Sequence, residues 1–117
     1  MRTIIAGSRD ITKYEYVEKA VESFKAEKLQ NVTVVISGTA RGVDRLGEEY
    51  ARKNSLLCEK YPADWDKHGR SAGYKRNELM AGKAEALIAL WDGKSRGTKH
   101  MIDLAEKYNL LVYIYIV

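Results

Sequence analysis

The run from Val32 to Asp44 reads Val-Thr-Val-Val-Ile-Ser-Gly-Thr-Ala-Arg-Gly-Val-Asp. Its opening is apolar or β-branched throughout, the composition of a strand covered on both faces. The chain then breaks at Ser37-Gly38-Thr39-Ala40-Arg41-Gly42, and Val43, Leu46, Gly47, Tyr50 and Ala51 follow at helical spacing. A buried strand that turns through glycines straight into a helix is the building unit of an open α/β sheet. Such turns bind anions, because the first N–H groups of the helix lack partners and its dipole places partial positive charge there. Gly38 and Gly42 let the backbone approach a ligand with no Cβ in the way. Arg41 adds a planar cation. A tight connection with a solvated arginine has the same pattern, so this turn alone leaves both readings open.

The rest of the chain repeats the unit. Arg2 to Ala6 reads as a short strand closed by Gly7-Ser8-Arg9-Asp10. Thr12 and Glu15 have capping-box spacing, which predicts a helix with Val17, Ala20, Val21 and Phe24 on its apolar face and an end near Lys28. The strand Val32–Ile36 and its helix, to about Lys53, come next. Leu56 to Tyr61 is a third strand, stopped by Pro62, the only proline. Pro62 to Gly73 is the longest irregular polar stretch, the kind of segment in which function concentrates. A helix is predicted over roughly Tyr74 to Gly82 and a fourth strand over Ala86 to Trp91. Asp92-Gly93-Lys94-Ser95-Arg96-Gly97-Thr98 is a second glycine-bearing turn. Its helix carries Met101, Leu104, Ala105 and Tyr108 on one face, closes at Asn109, and leads to a final strand, Leu111 to Val117.

This alternation predicts a single Rossmann-like α/β domain over residues 1–117. It has a five-stranded parallel sheet in the order 3-2-1-4-5, with helices on both faces and right-handed crossovers. Ligands then bind at the carboxyl ends of strands one and four, where the winding reverses. The turns after strands one, two and four converge there. The first turn lacks Gly-x-Gly-x-x-Gly, and Ser37 stands where an acidic residue would close the second strand. A nicotinamide or flavin cofactor therefore loses its main support.

At 117 residues the chain can build one core. No apolar run reaches the length of a membrane span and no signal-peptide pattern opens the sequence, so a cytoplasmic protein is expected. Cys58 is the only cysteine; it excludes an internal disulfide, suits a reducing compartment, and reads as an inert buried thiol. The net charge of +4 suits an anionic ligand and is too small to imply nucleic acid by itself. His68 and His100 are not at metal-ligand spacing with Cys58 or any carboxylate, so neither a metal nor a cofactor is expected.

Four segments together resemble the SLOG superfamily, and within it the YspA-like branch of small bacterial and phage proteins. They are Gly7-Ser8-Arg9, Ser37 to Asp44, Arg76-Asn77-Glu78-Leu79-Met80-Ala81-Gly82, and Gly93 to Thr98, joined by the Pro62-Ala63-Asp64-Trp65 segment. The superfamily includes LOG-type nucleotide phosphoribohydrolases, the single-strand-DNA-binding DprA group and members proposed to sense nucleotide-derived ligands. LOG-type enzymes follow Gly-Thr with a glutamate that acts on the ribose. Here Gly97-Thr98 is present, but Met101 holds that position, and a thioether cannot polarise a water or a hydroxyl. Arg76-Asn77 is closer to the DprA pattern than to the Arg-Lys of the enzymes.

The resemblance implies a protein that binds a nucleotide or nucleotide-derived phosphate, in a sensing or sequestering role. Its ligand residues would be Gly7, Ser8, Arg9, Ser37, Gly38, Arg41, Gly42, Arg76, Asn77, Gly93, Ser95, Gly97 and Thr98, with Trp65 as a stacking lid. Asp44 has three readings: stabilising its helix dipole, holding Arg41, or receiving a ribose hydroxyl. The alternative, a nucleoside-phosphate N-glycosidase, would need Asp44, Asp64 or Asp92 in place of the absent glutamate. A DprA-like single-strand DNA binder is a further alternative, against which stand few aromatics and modest charge. Tyr113 and Tyr115 alternate with aliphatic residues on the last strand, which suits a sheet edge or a homo-oligomer contact. Trp91 is expected to face the core or the floor of the site.

Overall fold

The structure, a computed structural model, describes residues 1–117. Five strands, β1 (Arg2–Gly7), β2 (Val34–Ser37), β3 (Leu57–Lys60), β4 (Ala86–Trp91) and β5 (Leu111–Ile116), form one sheet in the order β3-β2-β1-β4-β5. Every pairing is parallel. Five helices connect them: α1 (Tyr14–Lys28), α2 (Val43–Lys53), α3 (Trp65–His68), α4 (Ala72–Lys83) and α5 (Arg96–Lys107), with a 3-10 turn at Gly69–Ser71 between α3 and α4.

The pleat divides the apolar strand residues between two cores. Ile5, Val35, Ile88 and Leu90 pack with Val17, Val21 and Phe24 of α1 and Val43 and Tyr50 of α2. Ile4, Ile36, Leu87 and Ala89 face the other way, onto Met80 and Ala81 of α4 and Met101, Ile102, Leu104 and Ala105 of α5. With both faces covered, the inner strands have no polar face, which explains their unbroken apolar runs. Tyr113 and Tyr115 lie on β5, an edge strand, and pack against the α1 side.

Three local expectations are corrected. Thr12 does not cap α1: the residue before the helix is Lys13, and no side chain caps it. Ile11 is drawn into the core, and the helix begins one residue later than the box requires. The Pro62–Gly73 segment is not irregular throughout. Asp64 caps α3 by accepting from the Lys67 N–H at 3.0 Å, and α4 starts at Ala72, which is buried. Cys58 is only half-buried because β3 is the other edge strand.

Candidate functional site

The strands of β1 and β4 are neighbours whose chains leave in opposite directions around the sheet, so their carboxyl ends open a gap. The turns after β1 and β4, the start of α2 and the α3–α4 segment close around it to form a crevice of about 540 Å³.

One wall is organised by Arg76, on the first turns of α4. Its Nη1 donates to the Gly38 carbonyl oxygen, and its Nε donates to Asn77 Oδ1 at 3.0 Å. Asn77 is buried and donates from Nδ2 to His100 Nδ1 of α5 at 3.1 Å, which makes that ring the neutral tautomer protonated on Nε2. Burial holds the His100 pKa below its usual value, while Glu78 and Asp103 pull it back up. The imidazole also meets the Tyr74 ring edge-on, centroids 4.4 Å apart. Burial lowers the Arg76 pKa, with Arg9 adding to the effect and Asp44 opposing it.

Asp44 is 6% exposed and accepts from the Ala40 N–H at 3.1 Å. Burial pushes its carboxyl up to about 6; the Ala40 bond, Arg76 and Arg9 work against the rise and Glu48 reinforces it. It does not hold Arg41, which is swung out to 3.9 Å from Asp10 with both side chains exposed.

The opposite wall is the β4–α5 turn. Asp92 Oδ1 accepts from the N–H groups of Lys94 and Ser95, both at 2.8 Å, and these bonds lower the Asp92 pKa. The turn's amides are therefore partly claimed by the protein's own carboxylate. Ser95 caps α5, its Oγ accepting from Thr98 N–H at 3.4 Å and from Thr98 Oγ1 at 3.1 Å. The N–H groups left without acceptors are those of Arg96 and Gly97. Trp91 braces the turn from below, its Nε1 donating to the Ser95 carbonyl at 3.1 Å. Across the gap, Ser8 Oγ is buried with no hydrogen-bond partner.

Of the residues expected from sequence, Gly7, Ser8, Arg9, Arg41, Asp44, Trp65, Arg76, Asn77, Asp92, Ser95, Gly97 and Thr98 line this crevice. Ser37, Gly38, Gly42, Gly93 and Asp64 do not. Ser37 donates to Glu48 at 2.7 Å and accepts from Thr39 N–H, tying β2 to α2. A Cβ on Gly38 would stand 2.6 Å from Arg76 Nη1 and 2.8 Å from Asp44 Oδ2, so its bareness serves those side chains. Gly42, at φ +80, packs on the backbone of Ser8 and Arg9, so its bareness joins the first two turns. Gly97 differs, since a Cβ there would meet nothing. Met101 lines the floor while belonging to the α4–α5 core.

Sequence reasoning missed Arg70, Tyr74 and Lys94, which also line the crevice. Arg70 stood in the long loop and Lys94 in the second glycine-bearing turn, so both had a signal in position though not in type. The bond between Asn77 and His100 spans 23 residues and had none. Arg9, Arg70, Arg76 and Lys94 converge here, and none of them is in a salt bridge.

Fold and crevice together define a Rossmann-like α/β domain whose candidate site is built from three turns at the switch point rather than from one glycine-rich dinucleotide loop. Residues 1–68 match the YAcAr family, the YspA, cpYpsA-related SLOG family, and the chain belongs to it. It is 35% identical over 85 residues to the gene 61 protein of Mycobacterium phage D29, a stretch covering 68% of each protein. Its fold is similar to DNA processing protein A (DprA) from Streptococcus pneumoniae, with a TM-score of 0.72 at 18% identity over 97% of this chain. It is also similar to DNA processing protein A from Helicobacter pylori, solved for its single-stranded DNA binding mode, with a TM-score of 0.64 at 20% identity over the same share. The chain spans 49% of the first of these structures and 64% of the second. No helix is long and apolar enough to cross a membrane.

Proposed function

We propose that this domain binds a phosphorylated, mononucleotide-sized ligand in the crevice between β1 and β4 and retains it without turnover. The observation that carries this reading is the convergence of Arg9, Arg70, Arg76 and Lys94, none in a salt bridge, on a crevice of about 540 Å³. Clustered cations repel one another; Asp44 offsets part of the charge on Arg76 without a salt bridge, and a bound anion would complete the set. The free N–H groups of Arg96 and Gly97 add donors at a helix start. Exposed Trp65 and Tyr74 at the rim offer aromatic faces to a base. Met101, where the related hydrolases have a glutamate, supplies no proton-transferring group at that position, which supports retention over cleavage.

The similarity to the DNA processing proteins favours a second reading, a single-stranded DNA end or segment laid across the same mouth. One screen separates the two. The purified protein is melted with mononucleotides, cyclic and ADP-ribose-type nucleotides and short oligonucleotides, and the bound species is recovered by mass spectrometry. A ligand at a hundred times its Kd adds about 2.7 kcal/mol of stability. Stabilisation by an intact mononucleotide, lost in Arg76→Ala, is the expected result. A response to oligonucleotides alone, growing with length and falling steeply with salt, would replace the first reading with the second. A free base released over time would make the domain a hydrolase despite Met101.

A further inference from the structure

We propose that His100, which does not itself line the crevice, is a positioning residue for the anion site: through Asn77 it fixes the Arg76 guanidinium that faces the ligand. The proposal rests on the reading of the crevice as an anion site, and it adds the device that orders the one cation of the four that is not fully exposed. Arg76 is held at two points. Its Nη1 donates to the Gly38 carbonyl oxygen and its Nε donates to Asn77 Oδ1 at 3.0 Å. Two bonds to a planar group fix its plane as well as its position. Nη2 takes no acceptor from the protein, so its hydrogens stay free for a ligand.

The Nε bond depends on which way the Asn77 amide points, and His100 sets that from the far side. Asn77 is 7% exposed, so its amide finds its partners within the protein. It turns Oδ1 to Arg76 and Nδ2 to His100 Nδ1, and the imidazole bonds nothing else in the protein. This relay runs in one direction only. An arginine can only donate, so the amide oxygen must face it, and the imidazole must then accept. Protonated on Nδ1, the ring becomes a donor. The amide then turns its oxygen to the ring and its NH2 toward Nε, donor against donor, and Arg76 loses its second anchor. The Tyr74 ring meets the imidazole edge-on from α4. The charges acting on the ring are Glu78 of α4 and Asp103 of α5, which favour its protonation while burial opposes it.

Sulfate is the probe, because its charge stays constant over the pH range used, and it is titrated by NMR at fixed ionic strength. His100→Phe keeps a ring against Tyr74 and removes the acceptor. It should weaken sulfate about two- to tenfold, the effect of having to order an arginine on binding. His100→Asn, whose Oδ1 stands at the place of Nδ1, should recover most of that loss. In an Arg76→Lys background His100→Phe should change affinity no further, since a lysine cannot hold the same two bonds in a fixed plane. Additive effects would mean a role other than positioning Arg76 and would overturn the proposal. Acidification gives a second test whose sign is diagnostic. A new charge beside the crevice would strengthen sulfate binding by attraction, whereas release of Arg76 weakens it. From pH 7.5 to about pH 5, the affinity of the wild type relative to His100→Asn should therefore fall. Asp44 titrates in both proteins and cancels in the ratio. A flat or rising ratio overturns the proposal, and this comparison stands even where His100→Phe does not fold. Equal affinity of the wild type and His100→Phe for sulfate also overturns it and leaves the anion reading standing. Binding of neither sulfate, pyrophosphate nor any mononucleotide by the wild type overturns both.

Discussion

Arg76 and Gly38 share one place: the guanidinium lies where a side chain on residue 38 would stand, and its Nη1 donates to the Gly38 carbonyl. The glycine of the β2–α2 turn thus sets the position of a cation that arrives from α4, 38 residues further along the chain.

Three glycine substitutions should separate packing from binding. Gly7→Ala drives a Cβ into the Leu90 carbonyl, which cannot yield, and should cost at least about 1–3 kcal/mol. Gly38→Ala meets side-chain ends, the Arg76 guanidinium and the Asp44 carboxylate, rather than backbone, so the melting temperature should fall less while Arg76 is displaced and anion binding drops at least tenfold. Gly97→Ala touches nothing, and the better helix former should leave stability unchanged or raise it by up to about 1 kcal/mol. Its methyl should nonetheless weaken binding at the open N–H. Thermal melts and calorimetric titration on the three variants check the order.

The fold was legible because both inner-strand faces are buried: the apolar runs of β1, β2 and β4 carry no competing pattern, and the punctuation between them is glycine and charge. Strand order pointed to the carboxyl ends of β1 and β4, where the structure has its candidate crevice. The roles within it were less legible. Gly38 and Gly42 were expected to make space for a ligand and instead make space for Arg76 and for the Ser8–Arg9 backbone. Such contacts join turns far apart in sequence, and residue type does not reveal which neighbour fills the space beside a glycine. Thr12 failed as a cap for a related reason, since burial of Ile11 decided where α1 begins.

Trp65 is 53% exposed on the short α3 and lines the crevice, so its indole is spent on no core. Trp65→Ala should leave the melting temperature nearly unchanged and weaken nucleotide binding, with base stacking on an aromatic worth about 1–3 kcal/mol. Titrating a stabilising mononucleotide should quench emission in the wild type and in Trp91→Phe, but not in Trp65→Ala.

Asp44 makes stability depend on pH in a defined sense. Its carboxyl rises from 3.8 in the open chain to about 6 in the fold. The folded state therefore binds the extra proton between these values. The contribution is fully present below pH 3.8 and is lost as pH rises through 6, about 3 kcal/mol in all. Asp44→Asn keeps an acceptor for the Ala40 N–H and removes the charge. Its stability relative to wild type, from urea unfolding, should rise by about that amount between pH 4 and pH 8.

His100 acts with the opposite sign. Its pKa is lowered from 6.5 in the fold, because burial disfavours the cation, and its Nδ1 must stay unprotonated to accept from Asn77. The unfolded chain then takes up the proton first as pH falls. The His100 contribution is present above 6.5 and is lost below it. Where the two titrations overlap the groups oppose each other, so the wild-type dependence should be shallower than either trend alone. His100→Gln offers an amide oxygen to Asn77 and does not titrate. It should expose the Asp44 trend, stability climbing as pH drops, whereas Asp44→Asn should expose the His100 trend, stability falling. Unfolding free energies at pH 7.5, 6.0 and 4.5 for the wild type and both variants decide the matter. Parallel curves for all three would mean that neither group governs the acid limb.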